Sequence, residues 1–392
     1  MGNAREPAQA EASNMSAPSI RAMVVDDSAV IRGLVKRWLQ EDPEIEVVAW
    51  AADGEAAEQQ ITDHKPDVLV LDIEMPKKDG ITALPELLRL SPRTKVVMSS
   101  TLTTRNADIA LKALSLGAAD YIAKPTASGD LHAADGFRRE LVDKVRALGN
   151  SARMRGRIAA RVVAKSNDGG VVNTRSTGGH YGSAPIVLRK PGRLVPGIVC
   201  IGSSTGGPQA LMKLFESIGG KIKQPILITQ HMPATFTAIL AQHLSRIDGV
   251  ECAEATDKMK IEPGHVYLAP GDYHMVVEGN PAGNILRLNQ EPQENFCRPS
   301  VDPMLRSVVE AYREKILTVI LTGMGHDGLK GGQTVVDQGG TLIAQDEGSS
   351  VVWGMPGAVA TGGLCSAVLP IDEMGQAIIR LSNGGGYDAN GF

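Results

Sequence analysis

The stretch VILTGMGHDG, Val319 to Gly328, decides how the second half of the chain is read. A β-branched run ends in a glycine-rich loop, and the residues beyond suit a helix: one strand–loop–helix unit of an α/β fold. Gly323, Gly325 and Gly328 fit G-x-G-x-x-G, the mark of a dinucleotide site. Asp346, closing TLIAQD, lies near the spacing at which that fingerprint places a ribose-binding acid. The same loop also carries Asp327, an acid able to orient a catalytic histidine. The rest of the chain has to choose.

Working outward, the same alternation recurs. VPGIVCIGSS, PILITQH, HVYLAP, KILTVILTG, TLIAQD and SAVLP are expected strands, with helical stretches such as PQALMKLFESIG between several of them. In the first half RAMVVDD, EVVAW, DVLVLD, KVVMSS and DYIAKP alternate with helical spacings such as AVIRGLVKRWLQ. Runs without strict polar alternation suit strands buried on both faces. Two doubly wound parallel sheets follow, a flavodoxin-like domain over 19–147 and a Rossmann-like domain over 194–382. MGNAREPAQAEASNMSAPS gives a disordered leader over 1–18, and the Gly-rich end a frayed tail over 383–392.

Residues 148–193 break the pattern. From Ser151 to Arg193 the segment is rich in Gly, Ser and Arg, with nine Lys or Arg against one acid, Asp168. Such composition predicts a long flexible linker; the alternative is a basic segment that docks on an acidic partner. Tyr181 is its one aromatic, so base stacking has little support.

Composition excludes several classes. A length of 392 residues with 43% apolar content suits two cores. Lys+Arg 40 against Asp+Glu 44 gives net charge −4, hence no general attraction to nucleic acid. Cys200, Cys252, Cys297 and Cys365 form no C-x-x-C pair, which disfavours a zinc knuckle or disulfide framework and suits a reducing cytoplasm. No apolar run approaches the ~20 residues that span a bilayer, and the leader has no apolar core of a signal peptide.

At the strand ends of the first half stand Asp26, Asp27 and Asp72, with Ser100 and Lys124 on the same rim. Three converging carboxylates repel unless a hard cation such as Mg²⁺ joins them. The set suits an aspartate that accepts a phosphoryl group. VVDDS, LDIEMPKKDG and AKP closely resemble the response-regulator receiver domain. That resemblance implies Asp72 as phospho-acceptor, Asp26 and Asp27 as metal-site acids and Glu74 as a ligand through its carbonyl. It also implies that Ser100 and Lys124 bind the phosphoryl group.

In the second half Gly202-Ser203-Ser204-Thr205-Gly206 fits G-x-S-x-G between a strand and a helix. A tight turn there presents a hydroxyl at a helix N-terminus, where free N–H groups favour an oxyanion. The base can be His231, His265, His274 or His326, and spacing alone does not choose. IGSSTGGP, ITQHMP, YLAPGD, RPSVD, LTGMGHDG and VVWGMPGAV resemble, in order, the catalytic domain of the chemotaxis protein-glutamate methylesterases (CheB type). The resemblance implies Ser204 as nucleophile, His231 as base and Asp327 as its orienting acid, with Thr205 and Met324 supporting oxyanion and histidine. It further implies ester hydrolysis and glutamine deamidation on chemoreceptors without a cofactor in the esterase step. A chemotaxis histidine kinase would be the phosphodonor to a cytoplasmic monomer, and the unphosphorylated receiver would cover the Ser204 cleft. The order Ser, His, Asp makes the α/β-hydrolase-like G-x-S-x-G convergent. Two departures stand out: Cys297 precedes Arg298 where the family carries histidine, and the linker is long and basic. The dinucleotide reading leaves IGSSTGGP and ITQHMP unexplained. A receiver fused to a mere binding module would not require Ser204, His231 and Asp327 together.

Overall fold

The computed structural model describes residues 19–101, 103–124, 131–166, 186–279 and 283–385, with side chains of 131–133 and 155–166 excepted. The expected leader 1–18 and the tail from 386 lie outside the described residues.

The first half is built from β1 (Ile20–Val25), α1 (Ala29–Gln40), β2 (Ile45–Ala51), α2 (Gly54–His64) and β3 (Val68–Asp72). It continues through α3 (Gly80–Leu90), β4 (Lys95–Thr101), α4 (Thr104–Ser115), β5 (Asp120–Lys124) and α5 (Leu131–Ser166). The parallel strands run in the order β2-β1-β3-β4-β5, the flavodoxin-like order. VLVLD of β3 is buried throughout because helices cover both faces of the sheet. Helix starts follow local chemistry. Ser28, Asp53, Asp79 and Thr103 each accept a hydrogen bond from an N–H of the turn they open.

The second half contains β6 (Ile198–Ser203), α6 (Gly207–Ile218), β7 (Ile226–Gln230), α7 (Ala234–Ser245), β8 (Glu251–Glu254), β9 (His265–Leu268), β10 (His274–Glu278) and β11 (Ile285–Asn289). It closes with α8 (Val301–Tyr312), β12 (Ile316–Ile320), α9 (Leu329–Asp337), β13 (Thr341–Gln345), α10 (Met355–Thr361), β14 (Ala367–Leu369) and α11 (Ile371–Ser382). Seven strands form one parallel sheet, β14-β13-β12-β6-β7-β9-β8. The antiparallel pair β10–β11 lies outside it and buries Met275, Val277 and Leu286 in the core that α8 also fills. Neither β8 nor this hairpin is legible as a strand beforehand. ECAE of β8 is a half-exposed edge, and β10 and β11 carry polar residues through short runs.

Of the expected flexible linker over 148–193, residues 167–185 lie outside the described residues, and 148–166 are helical. Helix α5 runs without a break to Ser166, because SARMRGRIAARVVAK is dominated by Ala, Arg and Met, strong helix formers whose charges mimic a linker. Gly149 lets that helix sit on β1: a Cβ there would lie 2.3 Å from Ile20 Cγ2. At the far end Ile186 packs against the second core, Arg189 N–H donates to Cys365 O at 2.8 Å and Gly192 N–H to Thr341 Oγ1 at 2.9 Å. Of the expected tail, Asn383–Gly385 form the turn that ends α11. Among the described residues no helix is long and apolar enough to cross a membrane.

Candidate active site

Ser204 stands between β6 and α6 on a turn that only glycines allow. Gly206 has φ +76°, and a Cβ on it would press on Val351 at 2.5 Å; a Cβ on Gly207 would strike Gln230 Oε1 at 1.9 Å. The turn is tied down by its own backbone. Ser204 N–H donates to Thr322 O at 3.0 Å, Ser204 O accepts from Gly207 N–H at 2.8 Å, and Gln230 Nε2 donates to Ser204 O at 2.9 Å. Helix α6 carries no side-chain cap; of its first turn, Gly207 N–H is held by Ser204 O, Pro208 has no N–H and Ala210 N–H donates to Gly206 O.

β7 is the parallel neighbour of β6, so His231, the residue just beyond it, arrives beside the serine turn; its N–H donates to Ser203 O at 3.1 Å. Its ring Nε2 meets Asp327 Oδ2 at 2.7 Å. Asp327 is 1% exposed and saturated with donors. Oδ1 accepts from Asn295 Nδ2 (2.8 Å), Ser300 Oγ (2.8 Å), Asp302 N–H (3.1 Å) and Gly328 N–H (2.9 Å), and Oδ2 from Val301 N–H (2.6 Å). It thus caps α8 from a different loop, at the end where the helix dipole favours an anion. Burial alone would raise its pKa, but the His231 contact and the Val301 and Ser300 donors outweigh it and hold the carboxyl at about 2. His231 moves the other way: burial lowers it, Cys297 and Asp327 raise it, and the net direction is upward.

The structure therefore brings His231 and Asp327 together beside the Ser204 turn. It does not join His231 to Ser204 by a hydrogen bond. The Nδ1 edge of the ring is turned to Cys297 Sγ, 3.3 Å away. The rings of two other candidate histidines are engaged elsewhere. His265 Nε2 pairs with Glu251 at 3.0 Å, and buried His274 accepts Ser300 N–H at Nδ1. His326 gives its carbonyl to Leu329 N–H. The glycine loop is explained without a dinucleotide: a Cβ on Gly323 would lie 2.9 Å from Ser204 Cβ, and Asp346 is spent on Ser349 N–H and hydroxyl. Asn295, Ser300 and Asp302 are functional neighbours that spacing did not reveal. Asp302 Oδ1 accepts Gly328 and Gly331 N–H and so fixes the loop that bears Asp327. Asn295 reaches both acids from a backbone with φ +53°, a feature invisible in sequence.

Thr205 and Met324 face the other domain. Thr205 Oγ1 donates to Asp120 Oδ2 at 2.8 Å, and Met324 packs with Val351 and Val352 against the first-domain core cluster of Phe137 and Leu141. Tyr121 stacks on Phe236 with ring centroids 4.3 Å apart, and Gln209 Nε2 donates to Ala118 O and, at 3.3 Å, to Leu114 O. Ser151 Oγ donates to Val351 O at 2.8 Å. The α4–β5–α5 side of the first domain thus lies over the serine turn.

At the other end of β5, Lys124 Nζ bridges Asp26 Oδ2 at 2.7 Å and Asp72 Oδ2 at 2.8 Å. Asp26, Asp27 and Asp72 offer carboxylate oxygens within 4.8 Å of one another, a hard donor set that fits Mg²⁺. Glu74 follows β3 and lines a depression with Asp27. Burial lifts the Asp72 carboxyl to about 6 against the pull of Lys124, with the charge of Asp26 adding to the rise. Ser100 Oγ is buried without a hydrogen-bond partner, an orphan that a phosphoryl oxygen would satisfy.

The CheB methylesterase family matches residues 199–378 and the response regulator receiver domain family residues 22–134. A protein-glutamate methylesterase/protein-glutamine glutaminase of Rhodospirillum rubrum is 54% identical over 93% of this chain and 95% of its own length. Namesakes from Paramagnetospirillum magneticum and Azospirillum brasilense are 52% and 51% identical, each over 93% of this chain and over 96% and 93% of their own lengths. With that identity extending across both halves and the segment between them, this chain belongs to the protein-glutamate methylesterase/protein-glutamine glutaminase family, receiver domain in front and methylesterase domain behind.

Proposed function

We propose that the enzyme hydrolyses glutamyl γ-methyl esters on methyl-accepting chemoreceptors through Ser204, His231 and Asp327, and that phosphorylation of Asp72 controls access to them. The observation that carries this reading is the His231–Asp327 pair at 2.7 Å, set beside the Ser204 turn and beneath a receiver domain. Ser204 Oγ attacks the ester carbonyl while His231 takes its proton. Asp327, held ionised by its donors, supports the imidazolium without accepting the proton. The oxyanion meets backbone N–H groups of the Ser204 loop and the Met324 loop. Methanol leaves with the proton from His231, and water, activated by the same base, frees the glutamate. A glutamine side chain follows the same course with ammonia as leaving group. Nucleophile, base and oxyanion donors complete this acyl transfer, so no cofactor is assigned to it.

Asp26, Asp27 and Asp72, with the Glu74 carbonyl, would hold Mg²⁺, which when bound offsets the charge on the phosphoryl group. Ser100 and Lys124 would receive its oxygens, with a chemotaxis histidine kinase as donor. A cytoplasmic monomer is the form in which we expect it to act. The test is methanol release from methylated receptor cytoplasmic fragment. Ser204→Ala should lose on the order of 10⁴–10⁶ in kcat while Asp72 is still phosphorylated. Release at near wild-type rate would remove Ser204 as nucleophile.

A further inference from the structure

Cys297 is the nucleophilic side chain that this mechanism leaves unused. Its Sγ lies 3.3 Å from His231 Nδ1, while Nε2 of the same ring is held by Asp327 at 2.7 Å. Asp327 fixes the tautomer, because a neutral ring that donates Nε2–H to a carboxylate exposes Nδ1 as acceptor. The thiol S–H therefore donates to the nitrogen that must later take the serine proton. A thiol held against an imidazole nitrogen can hand its proton to the ring as the sulfur attacks, the arrangement that makes a cysteine reactive.

The other three cysteines are set apart from it. Cys200 and Cys365 are buried in the core, and burial holds the thiols of Cys252 and Cys365 up at about 12 and that of Cys200 higher still. Cys297 is partly exposed and is the one that touches the His231–Asp327 pair. It also sits in a loop held by Asn295 and Phe296 in left-handed backbone, at φ +53° and +61°, which fixes the sulfur against the ring.

We propose that Cys297 is a modification site wired to the catalytic base: oxidation of its thiol by hydrogen peroxide blocks His231 and switches the esterase off reversibly. The inference rests on the reading of His231 as the base. The Cys297 sulfur attacks one peroxide oxygen, an S–O bond forms and the O–O bond breaks. The departing hydroxide takes the proton held between sulfur and His231 and leaves as water. Sulfur loses two electrons, the peroxide gains them, and the product is a sulfenic acid. Its hydroxyl, one atom longer than the thiol, keeps Nδ1 occupied. A dithiol reverses the change by forming a mixed disulfide with loss of water, then displacing the Cys297 thiol.

The test uses the full-length protein and two independent readouts. In the first, iodoacetamide labelling is followed by peptide mass spectrometry across pH 5.5 to 9. Cys297 should react at least about tenfold faster than Cys252 near pH 6.5, and His231→Gln should remove most of that advantage. In the second, stoichiometric peroxide should place a dimedone-reactive sulfenic acid on Cys297, with esterase activity lost in proportion and restored by dithiothreitol. The activity that Cys297→Ser retains, whatever its level, should resist the same peroxide dose. Its rate profile should have the acid limb at lower pH, since a contact that raises the His231 pKa has been weakened. Equal labelling of Cys297 and Cys252, or labelling unaffected by His231→Gln, would overturn the thiol–imidazole pair. Peroxide inactivation of Cys297→Ser at the wild-type rate would overturn the switch. Labelling needs no substrate, so failure of the esterase reading alone would leave the first readout intact.

Discussion

Asp327 shows at the scale of one residue how converging donors can strengthen an acid against the cost of its burial. Five protein donors besides His231 surround the carboxylate, two of them the first N–H groups of α8. Asp327→Asn keeps the shape but loses the charge and presents an amide to groups that donate. In serine proteases this change costs up to roughly 10⁴ in kcat, and a loss near that size is expected here in methanol release, with Ser204→Ala the more damaging. The same residue carries a pH signature. Its pKa falls from 3.8 to about 2 on folding, so its stabilisation is complete above about pH 4 and drains away as pH falls towards 2. The contribution is about 2 kcal/mol. Urea midpoints of wild type and Asp327→Asn should therefore differ more at pH 6 than at pH 3; an unchanged gap would mean that the carboxylate is not held this way.

Strand β5 is the element on which both sites depend. Asp120 at its start accepts the Thr205 hydroxyl and pairs with Lys144 at 3.1 Å, and Tyr121 beside it stacks on Phe236. Lys124 at its end holds Asp26 and Asp72. A rearrangement that draws Lys124 towards a phosphoryl group therefore acts on the strand that touches the serine turn. Gln209 of α6 probes that contact without entering either site, since among the described residues its amide donates to the receiver carbonyls of Leu114 and Ala118. Each such hydrogen bond is worth about 0.5–1.5 kcal/mol. Gln209→Ala should raise the basal esterase rate of the unphosphorylated enzyme about two- to tenfold with little effect once phosphorylated. No change in the basal rate would argue that α6 does not hold the cover.

For the whole molecule the two domains behave as a closed pair, and helix α5 belongs to the closure because Ser151 binds Val351 and Ala152 is buried. Residues 194–392 alone should hydrolyse ester faster than the unphosphorylated full chain. Asp72→Asn in the full chain should stay at the low rate and ignore a small-molecule phosphodonor. A full shift from 1:99 to 99:1 open needs about 5.5 kcal/mol, so one phosphoryl group is expected to give partial opening. An isolated catalytic domain no faster than the full chain would mean that activation comes from contacts made by the phosphorylated receiver instead.

The sequence by itself determined the central strands of both sheets but not the edge strand β8, because continuous apolar runs such as VLVLD and ILTVI leave a parallel strand as the natural burial. It also marked Asp72 and Ser204 as candidates, because acids at strand ends and glycines around a serine are local patterns, whereas spacing left the base among four histidines and only the family resemblance singled out His231 and Asp327. Helix α5 was obscured, since its arginines read as solvated linker while its backbone propensity favoured helix. Only the tertiary structure decided what each side chain faces. Thr205 turns to Asp120, Asn295 reaches Asp327 from a left-handed backbone, and Cys297 rather than Ser204 sits on His231 Nδ1. These contacts join residues far apart along the chain, and their distances are set by how the loops pack, which no local pattern encodes.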